Sequence, residues 1–111
     1  MNKTVFLGLA SSLLLAGPAT RLAADAAANW TRDCAACHGR DGAGHTRVGH
    51  MLGVKDLRDP AYQKTFTDDG AFAGVRNGLK KDGKTKMKPF AGKLSDAAIK
   101  ELVAYVRTLA K

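Results

Sequence analysis

The hydrophobic positions near the end of the chain follow the spacing of an amphipathic helix. Ser95 and Asp96 are residue types that favour a helix N-terminus. The apolar residues that follow recur three and four positions apart, which places them on one face: Ile99, Leu102, Val103, Val106, Leu109 and Ala110. We therefore predict a C-terminal helix that begins after Ser95 and buries this face.

Weaker helical signals precede this segment. Thr67 can cap a helix that Gly78 would end, and Pro60 suits the first turn of another short helix. Residues 26–35 are also compatible with a helix, in which Trp30 is the one large apolar anchor. Three apolar residues recur on one side after Thr67: Phe72, Val75 and Leu79.

The remaining segments lack a regular period. Residues 39–53 contain five glycines and predict a loop, and residues 79–94 predict an irregular segment. No run of β-branched residues indicates a sheet. The expected fold class is therefore all-α, with three to four short helices joined by long loops. Loops this long need something other than one another to pack against.

The N-terminus has the three parts of a secretory signal peptide. Lys3 gives a positive start, residues 5–16 are apolar, and Ala24-Asp25-Ala26 is an A-x-A site. The apolar run is about a dozen residues, shorter than the ~20 that a bilayer span requires. We predict a signal peptide over 1–26, cleavage near Ala26, and a mature domain over 27–111 in the periplasm. An uncleaved signal that tethers the protein to the membrane is the minor alternative.

Composition changes the picture of residues 27–111. This stretch holds 15 Leu, Ile, Val and Phe residues, with 16 basic and 9 acidic residues. A chain with few large apolar residues and a high net charge cannot bury enough surface to order itself. It therefore needs a staple, a metal, a cofactor or a partner.

Only one motif offers such chemistry. Cys34, Cys37 and His38 form a C-x-x-C-H sequence and include both cysteines of the chain. Covalent haem attachment uses this spacing, with the histidine as an axial ligand of the iron. A zinc site completed by His45 or His50, and a redox dithiol, are the alternatives. Haem is the interpretation we favour, because a large apolar porphyrin also answers the shortage of core residues.

The second axial position of a haem iron has two methionine candidates. Met87 lies between two lysines and is followed by Pro89, so ordinary core packing does not explain it. Met51 lies in the glycine-rich segment, only 13 residues after His38. We predict that Met87 is the ligand and that His45 and His50 are surface residues.

Taken together, these motifs resemble those of the small class I c-type cytochromes. Four features occur in the same order as in that family: the export signal, Cys34-Ala35-Ala36-Cys37-His38, the downstream Met87-Lys88-Pro89-Phe90 segment and a closing amphipathic helix. Trp30, four residues before the first cysteine, matches the family's packing of its N- and C-terminal helices. One departure is the lack of a proline between Pro18 and Pro60, where the family commonly has one after the haem motif.

The resemblance implies a cytochrome c-like fold around one covalently bound haem c, with thioethers at Cys34 and Cys37 and axial ligands His38 and Met87. It implies an electron carrier of respiratory or photosynthetic transport rather than an enzyme. A haem enzyme or sensor with a displaceable sixth ligand, for example a peroxidase, is the competing class. A thiol oxidoreductase without haem is a third.

Lysines are concentrated around the proposed axial methionine. Between positions 80 and 93 the only acidic residue is Asp82, and there are six lysines: Lys80, Lys81, Lys84, Lys86, Lys88 and Lys93. A solvated loop is the simpler interpretation. We favour a transient docking surface for acidic redox partners, a reductase and an oxidase. We expect a monomer that neither binds nucleic acid nor inserts stably into a membrane.

Overall fold

The computed structural model describes residue 8 and residues 10–111. Its regular elements, in chain order, are α1 (Pro18–Asn29), a π-helical turn (Trp30–Cys34), α2 (Ala35–His38), α3 (Arg47–Leu52), α4 (Pro60–Gln63), α5 (Asp68–Asn77), β1 (Leu79–Lys81), β2 (Lys84–Met87) and α6 (Asp96–Thr108). The three long helical stretches correspond to predicted helices, and α3 and α4 are short.

The C-terminal helix provides three of the buried hydrophobic residues of the core. The Ser95 hydroxyl accepts a hydrogen bond from the Ala98 backbone N–H at 3.1 Å, which caps α6 as predicted. The buried face of α6 consists of Ile99, Leu102 and Val103. Trp30 packs against this face, with its ring 5.5 Å from that of Tyr105. The helix ends at Thr108, so the predicted Ala110 lies beyond it and is exposed.

The N-terminal helix is longer than the predicted stretch of 26–35. It begins at Pro18, whose fixed φ and missing N–H suit a first helical position. The predicted cleavage position near Ala26 falls inside α1, where Ala26 is only 3% exposed. Residues 10–17 are exposed and form no helix or strand, whereas residues 1–7 and 9 of the predicted signal lie outside the described residues.

Within the described part of the chain, no helix combines the length and apolar character needed to cross a bilayer. A π-helical turn follows α1, in which the Ala35 N–H donates to the Trp30 carbonyl. Such turns insert one extra residue into a helix and are frequent at functional sites. The turn therefore carries the chain from the core residue Trp30 into the cysteine motif.

The predicted loop over 39–53 is wrong in part, because it contains α3. Thr46 caps this helix by accepting a hydrogen bond from the Gly49 N–H at 2.8 Å, and Gly53 ends it with a φ of 69°. Gly49 is needed here for space, since a Cβ atom would lie 2.5 Å from the carbonyl oxygen of Cys37. Gly49, one of the glycines that indicated a loop, instead permits close packing of α3 on α2.

The predicted irregular segment over 79–94 is likewise wrong in part. Strands β1 and β2 pair antiparallel, with Leu79 opposite Met87. Asp82 and Gly83 connect them with φ values of 51° and 71°, the conformation of a two-residue type I′ turn. This turn chemistry outweighs the low strand propensity of the lysines. Leu79 is therefore part of β1 and 52% exposed, not part of the preceding helix.

Helices α4 and α5 begin as predicted. Pro60 opens α4, and Thr67 caps α5 by accepting a hydrogen bond from the Gly70 N–H at 3.0 Å. Arg107 fixes both helices to α6, because its guanidinium donates to the Gln63 carbonyl at the end of α4 and to the Asp68 carboxylate at the start of α5. These contacts hold α4 and α5 beside the cavity that lies between the cysteine motif and the β-hairpin.

Candidate functional site

A two-part cavity, which we call the crevice, lies between the cysteine motif and the β-hairpin. Its larger part has a volume of about 420 Å³ and its smaller part, towards α5 and α6, about 260 Å³. The two parts share several lining residues: Cys34, His38, Leu57, Tyr62, Leu79 and Met87. Together these volumes fall in the range of cofactor and ligand sites, ~300–1,000 Å³.

The cysteine motif reaches the crevice from one side. Cys34, Cys37 and His38 all line the larger part, because the end of the π-helical turn and the following helix α2 present them together. The backbone after this turn is held by two hydrogen bonds of 2.7 Å, one from the Gly44 N–H to the His38 carbonyl and one from the Thr46 hydroxyl to the Cys37 carbonyl. These hydrogen bonds hold the backbone of the motif, while its side chains line the crevice.

His38 is suited to bind a metal in this position. Burial lowers its pKa, which keeps the imidazole neutral with a free lone pair. Its Nδ1 atom is buried and has no hydrogen-bond partner among the described residues. The carbonyls of Gly39 and Arg40 accept instead from the Trp30 indole N–H, at 3.0 and 3.1 Å. Among the described residues, no backbone carbonyl therefore accepts a hydrogen bond from His38 Nδ1.

The Cys34 thiol does not fit a redox dithiol. Burial raises the pKa of Cys34 to about 11, whereas reactive cysteines need a lowered pKa. The predicted alternative zinc ligands, His45 and His50, line neither part of the crevice. No group of three or more His, Cys, Asp or Glu side chains able to hold a metal occurs among the described residues.

The two methionines differ in their surroundings. Met87 is half-buried, packs against the core cluster and lines both parts of the crevice together with His38. Met51 is 74% exposed and lines neither part. An imidazole, a thioether, two thiols and apolar walls therefore meet at one cavity, which is the donor set that a covalently attached haem requires. Among the apolar residues of these walls are Leu52, Val54, Leu57, Leu79 and Phe90.

Two residues of the crevice were not predicted from the sequence. Tyr62 lines both parts, but a lone tyrosine on a four-residue helix gives no local signal. Asp33 lines the larger part and keeps its side chain only 1% exposed. It pairs with Lys93, a residue 60 positions away that no sequence pattern connects to it.

The predicted lysine surface lies at the mouth of the crevice. Lys86 and Lys88 line its larger part. The ammonium groups of Lys88 and Lys93 each lie 5.7 Å from the centre of the Phe90 ring, on a side chain that is 3% exposed. Most lysines of the surface are exposed: Lys80, Lys81, Lys84, Lys88 and Lys93.

Comparisons with known proteins found one matching family model and similar solved structures. The model of the family described as "Cytochrome C oxidase, cbb3-type, subunit III" matches residues 21–106. The solved structure of the KustC0563 c-type cytochrome is 30% identical, with a TM-score of 0.68, and the match covers 78% of this chain and 99% of that one. A structure of a point mutant of the same protein is 29% identical, with a TM-score of 0.67 and coverages of 77% and 98%.

No curated protein matches the chain in sequence. The structural neighbours nevertheless confirm the predicted all-α fold class and the predicted family. They also confirm the expected cofactor class, because both the family model and the neighbours describe c-type cytochromes, in which the haem is covalently bound.

Proposed function

Because this chain belongs to the small class I c-type cytochromes, it binds haem c covalently and serves haem-based electron transfer, and we propose that it shuttles single electrons between redox partner proteins. The observation that carries this proposal is the placement of His38 and Met87 on the same crevice, next to Cys34 and Cys37. Met51, the competing thioether, lines no part of that crevice.

We assign the four site residues as follows. Cys34 and Cys37 would hold the haem through thioether bonds, and His38 and Met87 would bind its iron. The haem would supply the one-electron chemistry, Fe(III) to Fe(II). The Met87 thioether is a soft ligand that favours the reduced state and raises the reduction potential. The apolar walls, including Leu57 and Phe90, exclude water and act in the same direction.

With His38 and Met87 both bound to the iron, the site would have no position for oxygen, peroxide or a substrate. Met87 has support for its position, since its carbonyl lies close to Gly78, where a Cβ atom would be 2.6 Å from it. Phe90 adds a second support by donating its N–H to the Val75 carbonyl at 3.0 Å. The segment that carries Met87 therefore packs closely on the end of α5. This anchoring favours a carrier over an enzyme or a sensor with a displaceable ligand.

The partners are acidic redox proteins that bind transiently, one donating and one accepting electrons. Exposed lysines around the mouth of the crevice support this assignment, because complementary charge speeds the encounter and orients the pair without tight binding. We place the protein in the periplasm as a monomer, with residues 27–111 as the mature domain after removal of 1–26. Cleavage near Ala26 would shorten α1 but leave Trp30 and the site in the chain.

The optical spectrum of the full chain, matured in an exporting host, tests this function. We expect low-spin bands and the weak far-red band of a sulfur–iron bond, together with no turnover of hydrogen peroxide. A high-spin spectrum with peroxide turnover would assign the protein to the haem enzymes. A spectrum without a Soret band would contradict both haem functions.

A further inference from the structure

Asp33 is a buried acidic residue at the wall of the crevice, directly before Cys34 in sequence. Its side chain is 1% exposed. One carboxylate oxygen lies 3.0 Å from the Lys93 ammonium and the other 2.6 Å from the Arg32 guanidinium. Both cations are more than half exposed, so the ion pairs run from the crevice wall to the surface.

A carboxylate in such a position is costly to bury. Removing it from water costs several kcal/mol unless cations and hydrogen bonds compensate for the lost hydration. The hydrogen bond from Arg32 lowers the pKa of Asp33, burial opposes this effect, and the nearby charge of Lys93 lowers the pKa further, so the group is charged at neutral pH. A permanent negative charge therefore lies against the cavity that is lined by His38 and Met87.

Lys93 belongs to the segment that carries Met87, where it follows Phe90 and donates its N–H to the Phe90 carbonyl at 3.0 Å. Its ammonium group lies near the Phe90 ring as well as against Asp33. The ion pair thus joins the Met87 segment to the cysteine motif.

We propose that the Asp33–Lys93 ion pair tunes the reduction potential of the haem, Asp33 lowering it and Lys93 offsetting that effect. The proposal rests on the proposed function, because it requires a haem in the crevice. A negative charge beside the crevice favours Fe(III), which carries one more positive charge than Fe(II), and in a low dielectric this effect is large. Asp33 and Lys93 act through the field and through the placement of the Met87 segment, so both are positioning residues.

Spectroelectrochemical titration of the matured full chain tests the pair. We expect Asp33→Asn to raise the midpoint potential and Lys93→Gln to lower it. Each change should alter the Fe(III)/Fe(II) ratio at a fixed potential by about threefold or more, where a tenfold change corresponds to ~59 mV for one electron. Lys93→Arg, which keeps the charge, should retain the wild-type potential.

Matched controls come from α5 and α6, where the same charges are removed without touching Asp33 or the lysine surface. Asp69 and Lys100 are exposed, line neither part of the crevice and form no ion pair with any described residue. Asp69→Asn and Lys100→Gln should shift the potential less, because water and salt screen exposed charges. Because Lys93 is on the surface, Lys93→Gln keeps the test valid even if Asp33→Asn fails to fold.

The spectra of the variants separate the ion-pair proposal from the proposed function. Low-spin spectra with a far-red band in all variants, combined with shifts no larger than those of the controls or of opposite sign, would overturn the ion-pair proposal alone. A wild-type protein without that spectrum would overturn the proposed function and this inference together.

Discussion

The Trp30 indole lies with its ring centre 5.6 Å from that of the His38 imidazole. The same indole also packs against Tyr105 of α6. Its N–H donates to the carbonyls of Gly39 and Arg40, the two residues after His38. One side chain therefore connects the hydrophobic core, the C-terminal helix and the proposed iron ligand.

Replacement of Trp30 should affect both stability and the site. We expect Trp30→Ala to lower the free energy of unfolding of the holoprotein by ~3–5 kcal/mol, the usual cost of removing a buried aromatic side chain. Trp30→Phe keeps an aromatic ring but loses the two hydrogen bonds, so its cost should be smaller, about 1–2 kcal/mol. Denaturant unfolding followed by circular dichroism measures both. Equal stability of wild type and Trp30→Ala would contradict the role assigned to this residue.

The small set of buried residues predicts that haem is required for folding. The core cluster contains Trp30, Phe90, Leu94, Ile99 and Leu102. So small a core does not offset the loss of chain entropy, and a bound cofactor stabilises the folded state by mass action. We expect the double variant Cys34→Ala, Cys37→Ala, produced without haem, to show little helix by far-ultraviolet circular dichroism. A cooperative unfolding transition in this haem-free chain would show that the protein folds without its cofactor.

The lysine surface predicts a salt-dependent encounter with partners. We expect the bimolecular rate of electron transfer to an acidic redox protein to fall as ionic strength rises. Lys81→Gln with Lys84→Gln should lower this rate several-fold at low salt and have little effect near 1 M salt, where charges are screened beyond ~3 Å. Stopped-flow kinetics measures the bimolecular rate of electron transfer at each salt concentration.

The matched control for the lysine surface is Lys100→Gln. Lys100 is exposed on α6 and lines neither part of the crevice, so its loss removes one charge away from the mouth. An equal effect of this variant, or a rate that does not change with salt, would favour a merely solvated loop.

Local signals explain what the sequence predicted correctly. Ser95 and Thr67 cap their helices through hydrogen bonds to the third residue beyond, an interaction that lies within one turn of chain. The cysteine motif is equally local, because Cys34, Cys37 and His38 lie within five positions. These features depend on neighbours in sequence and can be predicted without knowledge of the fold.

The sequence prediction missed features that depend on distant contacts, and it also missed one local feature, the β-hairpin. Gly49 contributed to the prediction of a loop, yet it lies in α3. Only a glycine fits at this position, because a Cβ atom would lie too close to the Cys37 carbonyl. The β-hairpin was missed because its strands are rich in lysine, although the Asp82-Gly83 turn is a local signal for it. Asp33 could not be identified because its partner, Lys93, comes from another part of the fold.

The paired variants Met87→Ala and Met51→Ala test the central claim most directly, through the absorption spectrum of the oxidised holoprotein. Loss of the Met87 thioether should open the sixth position, abolish the far-red sulfur–iron band and produce a high-spin spectrum. Loss of Met51, which is 74% exposed, should leave the spectrum unchanged. A low-spin spectrum with its far-red band intact in Met87→Ala, or the loss of that band in Met51→Ala, would contradict the assignment of a His38–Met87 electron-transfer site.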